Sequence, residues 1–157
     1  MRLFIRIVLC IVVVEILGGL GGYLTAKSIG DWYARLEAPP GTPPNAVFGP
    51  VWAILYAAMG TAFALVWHRA PAGRPKHLAI SWFGFQLALN LAWTPVFFGA
   101  HLIDAALIVI LCLLAAIART IRLFFPISRP AAWLMVPYAA WVAYATYLNA
   151  GFSILNR

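Results

Sequence analysis

Charge is what this sequence has least of. Acidic and basic residues together make up 10% of its 157 residues, and four of them are acids. A soluble domain of this length needs far more polar surface to cover its core, so an ordinary soluble domain is excluded. Cysteine and histidine are nearly as scarce, at two and three. Cys10 and Cys112 stand in separate apolar runs without metal-ligand spacing and read as packed thiols. His68 and His77 flank a loop, and His101 and Asp104 are three apart where a helix begins. There a carboxylate is stabilised by about 0.3–1 kcal/mol near the helix N-terminus, a simpler account of Asp104 than a proton relay. These residues form no recognisable acid/base, nucleophile or metal constellation. The sequence therefore offers no firm catalytic residue, no metal site and no obligatory cofactor.

Long apolar windows take the place of charge, with 64% of residues hydrophobic. A bilayer span needs about 20 apolar residues, and five candidates follow: about 3–26, 47–67, 78–100, 103–125 and 131–155. The expected fold is all-α, a single integral membrane domain of five transmembrane helices. In the first window the apolar stretch after Arg2 and Arg6 runs to Leu24 with no clear small-residue cleavage site, so it reads as a retained helix. The fourth reads as the weakest, since its uncharged core runs only from Ala105 to Ala118 and Arg119 and Arg122 must snorkel. Short connections predict that consecutive helices are antiparallel neighbours. The longest connection, 27–46, holds Pro39, Pro40, Gly41, Pro43 and Pro44, and with Trp32, Tyr33 and Leu36 as apolar anchors it reads as a cap over one end.

The formal charge of +7 would suggest nucleic acid in a soluble chain. Here Arg2, Arg6, Arg69, Arg74, Lys76, Arg119, Arg122 and Arg129 fall on one side of a five-span topology, against Lys27, Arg35 and Arg157 on the other. The positive-inside rule places the N-terminus in the cytoplasm and explains the charge without a nucleic-acid partner.

Polar residues inside the spans carry the functional signal. Glu15, in the middle of the first helix, must be neutral, paired or turned inward; a functional role and a neutral interhelical hydrogen bond both fit. On the third helix, Gln86, Asn90, Trp93 and Phe97 share one stripe, and Gly84, Ala88 and Ala92 nearly the opposite one. The small stripe suits close approach of another helix, including that of a homodimer, while the amides should face inward. Aromatic stripes recur as Trp52, Tyr56 and Phe63 on the second helix and as Tyr138, Trp141, Ala145 and Leu148 on the fifth. Converging aromatics with a few amides describe either a pocket for a flat polycyclic ligand or simple core filling.

Four blocks in order carry a family resemblance: D-W-Y-A-R-L-E-A-P at 31–39, P-P-N-A-V-F-G-P-V-W-A-I-L-Y at 43–56, Q-L-A-L-N-L-A-W-T-P-V-F-F-G at 86–99 and V-P-Y-A-A-W-V-A-Y-A-T-Y-L-N at 136–149. The chain resembles the TspO/translocator protein family, also called peripheral benzodiazepine receptors or tryptophan-rich sensory proteins. The resemblance implies a five-helix bundle, usually dimeric, with a cavity beneath the first loop that takes porphyrins such as protoporphyrin IX and haem, sterols or benzodiazepine-type compounds. It implies that Trp52 and Trp141 match the tryptophans linked to porphyrin binding and light-dependent breakdown. Tyr56, Asn90, Trp93, Phe97, Ala145 and Leu148 match cavity positions, with Phe48 and Gly49 at the mouth. It also implies a role in porphyrin sensing, sequestration or transport in a membrane such as the bacterial cell membrane, with a porphyrin-degrading enzyme or a structural subunit as alternatives. Two aromatics usual in the family's loop are absent between Pro39 and Ala46. The tyrosine and arginine of the animal cholesterol pattern are replaced by Ala150 and Ile154, so sterol recognition through that pattern is not implied.

Overall fold

The computed structural model describes residues 2–157 apart from the side chains of Leu24 and Lys27, so Lys27 in the charge count above lies outside the described residues. Five long helices carry almost the whole chain: α1 (Leu3–Ile29), α2 (Asn45–Arg69), α3 (Arg74–Thr94), α4 (Ile103–Phe124) and α5 (Arg129–Leu155). The chain is an all-α integral membrane bundle. Its outward face is aliphatic and aromatic, with Phe4, Ile16, Leu20, Ile54, Ile108, Trp133 and Ile154 all exposed. Water would penalise so much apolar surface, whereas acyl chains accept it.

Length and composition alone qualify Leu3–Tyr23, Asn45–Arg69 and Ile103–Phe124 as spans. The fourth helix is thus not the weak one. Its mean hydropathy of 2.3 exceeds the 1.6 of α2, because Arg119 and Arg122 sit exposed in its last turns and leave the rest uninterrupted. α3 and α5 have the length of spans but are the more polar helices. Gln86, Asn90, Asn149 and Ser153 are all buried inside the bundle rather than turned to lipid.

The helices form a ring in which α1 packs on α2, α2 on α5, α5 on α4, α4 on α3, and α3 with its C-terminal extension on α1. The expectation that consecutive helices are neighbours fails at one place. Although α2 and α3 are joined by a short link, their extensive contacts are with other helices, and they face each other across the bundle. Near that link they meet through stacked aromatics, Phe63 on Phe83 at 4.6 Å, and Phe83 stacks in turn on Phe124 of α4 at 6.0 Å.

Close packing of α1 on α2 depends on Gly60. A Cβ there would lie 2.7 Å from the Ile11 Cα, so no larger residue permits this approach. Around it Met59, Val66, Ile117, Phe124 and Met135 are wholly buried. At the other end α3 does not run straight to residue 100 as expected. Pro95, which lacks an N–H, opens a π-helical turn over Pro95–Gly99, closed by Ala100 N–H donating to the Pro95 carbonyl at 2.8 Å. The wider turn buries both Phe97 and Phe98. His101 then takes a left-handed conformation, φ 58°, and stacks on Trp32 at 4.1 Å. Asp104 stands in the first turn of α4 and accepts a hydrogen bond from Ser153.

The connection between α1 and α2 folds over this end as a cap. A short 3₁₀ turn, Tyr33–Arg35, places Tyr33 against Phe97, Phe98 and Phe152. Beyond it the chain is tied to α5: Asn156 exchanges two hydrogen bonds with the Glu37 backbone, at 2.8 and 3.0 Å, and the Tyr147 hydroxyl donates to the Pro40 carbonyl at 2.9 Å. Tyr144 donates to the carbonyl of Gly41, whose φ of 86° suits glycine. Gly151 provides the seat, since a Cβ there would collide with Pro39 at 2.5 Å.

Candidate ligand-binding cavity

Below the cap the ring does not close on itself. α1, α2, the end of α3 with its π turn, and α5 enclose a cavity of about 410 Å³, within the range of small-molecule sites. Of the residues picked from sequence, Phe48, Gly49, Trp52, Tyr56, Asn90, Trp93, Phe97, Trp141, Ala145 and Leu148 all line it. Trp52 stacks on Tyr56 at 5.3 Å and meets Tyr138 edge-on at 6.2 Å. Trp93 stacks on Phe97 at 5.2 Å, and Trp141 meets Phe48 edge-on at 6.0 Å. Three helices thus present ring faces and edges to one void, the geometry that receives a flat apolar ligand.

A chain of hydrogen bonds fixes the wall. The Tyr56 hydroxyl donates to Asn90 Oδ1 at 2.9 Å, Asn90 Nδ2 donates to the Tyr138 hydroxyl at 3.1 Å, and that hydroxyl donates to Gln86 Oε1 at 2.8 Å. Asn90 therefore spends its amide on two tyrosines from facing helices. Trp93 Nε1 donates to Asn149 Oδ1 at 3.0 Å, and Asn149 Nδ2 donates to the Ile103 carbonyl at 2.9 Å. Among the described residues, Trp141 Nε1 is a buried donor on the cavity wall that has no partner. In the cap, burial raises the Tyr33 phenol above its usual pKa, so this wall residue stays neutral.

Gln86 does not line the cavity, contrary to the sequence reading. It lies a turn from Asn90 toward the packed end, wholly buried, hydrogen-bonded to Tyr138. Gly84, Ala88 and Ala92 are exposed on the outer face of α3, and a Cβ at Gly84 would touch nothing, so no helix of this chain uses that stripe. The largest omission from the sequence reading is α1. Glu15, Gly18, Gly19, Gly21, Gly22, Thr25 and Ala26 form one wall, where a Cβ at Gly18 would fall 2.1 Å from the Tyr56 ring. Glu15 alone of this wall stands out in the sequence; the signal for the rest is the run of small residues Gly18, Gly19, Gly21, Gly22, Thr25 and Ala26. Asn149 and Phe152 complete the wall near the cap.

Fold and cavity together define a class: a multi-pass helical membrane protein with an aromatic-lined internal cavity. Comparison with known proteins makes the class specific. The TspO/MBR family matches residues 8–155. The tryptophan-rich protein TspO of Chlorobaculum tepidum is 38% identical over 152 residues, covering 97% of this chain and 95% of that protein. The human translocator protein is 43% identical over 119 residues, covering 75% and 70%. The TspO of Archaeoglobus fulgidus is 35% identical over 152 residues, covering 97% of each. The chain belongs to the TspO/MBR family.

Proposed function

We propose that this protein is a membrane receptor for porphyrins, such as protoporphyrin IX and haem, and for related flat hydrophobic molecules, acting in their sensing, sequestration or transport. The observation that carries this reading is the cavity of about 410 Å³ walled by Phe48, Trp52, Tyr56, Trp93, Phe97 and Trp141. Stacking and apolar burial supply affinity there. A regulatory role rests on the family, in which relatives carry the name translocator protein. The outward Gly84, Ala88 and Ala92 stripe is the surface on which we place a homodimer contact. The basic end we place in the cytoplasm, with the cap outside, in a bacterial cell membrane.

Titration of the purified protein with protoporphyrin in the dark, followed by tryptophan quenching, tests the binding. Saturation is the expected result; quenching that rises without limit refutes it. A second reading, light-driven degradation of the bound porphyrin by oxygen, draws on the stack of oxidisable Trp52 and Tyr56 on the wall. In that case the chemistry belongs to the excited macrocycle and the protein positions it. Illumination of the complex then bleaches porphyrin faster than in protein-free vesicles, and Trp52→Phe or Trp141→Phe slows the bleaching. Equal rates in all samples remove the enzyme reading.

A further inference from the structure

One polar group of the cavity has no role in the wall's hydrogen-bond chain. Glu15 lies on α1 one turn before Gly18, on the face that meets Tyr56, and it lines the cavity. Among the described residues no basic side chain pairs with it, the one ion pair there being Arg35 with Asp31 in the cap. The direction of the neighbouring hydrogen bonds makes this carboxyl more telling. Because Tyr56 donates its proton to Asn90, and the next hydroxyl donates onward to Gln86, the chain runs away from the void. With its proton committed to Asn90, Tyr56 has none to give Glu15, and toward α1 it presents ring carbons, which lie against Gly18. The free acceptor on the α1 side of the cavity is therefore the Glu15 carboxylate. On the α5 side the unpartnered Trp141 N–H is buried and does not reach the void.

We propose that Glu15 is a specificity-determining residue of this cavity, selecting flat apolar ligands that carry a basic nitrogen and seating that nitrogen against α1. The inference rests on the binding reading above and names the chemistry of the ligand that the site prefers. A carboxylate within a membrane span, on the wall of a cavity lined by glycine and aromatic residues, gains most from a cationic donor, since an unpaired charge there is costly and a charge-assisted hydrogen bond is strong. Gly18 lets the Tyr56 ring pack against α1, and Gly19 and Gly22 leave the space beside them open, so a ring system can lie against the helix backbone and bring its nitrogen to the carboxylate. For a ligand bearing carboxylates, the same residue acts by exclusion. It turns the acidic edge away from α1, so Glu15 fixes orientation as well as preference.

The test uses one flat ring with two substituents, pyrenemethylamine and pyrenemethanol, titrated into the full-length protein and its Glu15→Gln variant in the same detergent. Partition into detergent is common to both proteins and cancels in the comparison. We expect the wild type to favour the amine over the alcohol by about tenfold, the scale of one hydrogen bond to a charged group. In Glu15→Gln the ratio should fall to within about twofold of unity, whereas Glu15→Asp should retain part of the preference. Saturable binding of both compounds without an amine preference in the wild type, or with the preference intact in Glu15→Gln, overturns this inference and leaves the cavity standing. No saturable binding of either compound overturns the inference and the binding reading together. The wild-type comparison decides even where a variant fails to fold.

Discussion

The two ends of the bundle use the same helices to opposite effect. At the basic end α1 and α2 touch backbone to backbone at Gly60, and Phe63, Phe83 and Phe124 stack into a solid core. At the capped end the same two helices meet through glycine on α1 and aromatic rings on α2, and a void remains between them. Glycine at position 60 removes bulk so that two helices close. Glycine at position 18 admits the Tyr56 ring, and glycines at 19 and 22 leave open space on the cavity wall. A well-packed half carries the fold, which lets the other half keep a void whose unfilled contacts would otherwise destabilise it.

The comparison breaks most completely at Gly60. Replacement by leucine drives a side chain into the Ile11 backbone, and we expect a loss of about 3 kcal/mol or more, seen as a large fall in the thermal midpoint in detergent. If that variant melts like the wild type, the packed end does not support the open one. Asn90→Leu should have a smaller effect, about 1–3 kcal/mol, because Tyr56 loses its acceptor and Tyr138 its donor while the packed end is untouched. A thermal midpoint equal to the wild type's would show that the tyrosines find other partners. Tyr147→Phe should matter least. It removes one hydrogen bond from the cap to α5, about 0.5–1.5 kcal/mol, and should raise amide exchange around residues 37–42 while the packed end stays protected. Uniform loss of protection at both ends would mean that cap and core unfold as one unit.

The sequence revealed some of this division and hid the rest for physical reasons. Hydropathy marks α1, α2 and α4 directly, since their lipid faces are unbroken. α3 and α5 are legible as apolar windows too, and their amides and aromatics at helical spacing point to Asn90, Trp93, Trp141 and Leu148. Helical periodicity gives a face but not a depth, and that is why Gln86, on the same stripe as Asn90, was assigned to a cavity that ends one turn short of it. The α1 wall escaped because glycine contributes by absence and leaves no hydrophobic trace. Trp32, Tyr33 and Leu36 announced a cap. Its fastening to α5 runs through the backbone carbonyls of Glu37, Pro40 and Gly41, which no residue pattern encodes. Pro95 looked compatible with a continuous span, and the π turn it opens depends on tertiary packing of Phe97 and Phe98.

The account depends on a ligand occupying the void under the cap and not the lipid-facing surface. Calorimetric titration of protoporphyrin in the dark, into the wild type and into Ala145→Phe, tests this directly, because the new ring projects from α5 into the cavity wall. We predict one saturable site per chain in the wild type and at least about a tenfold loss of affinity in the variant, or 1.4 kcal/mol. Identical isotherms for the two proteins, with Ala145→Phe folded, would place the ligand elsewhere and contradict the account.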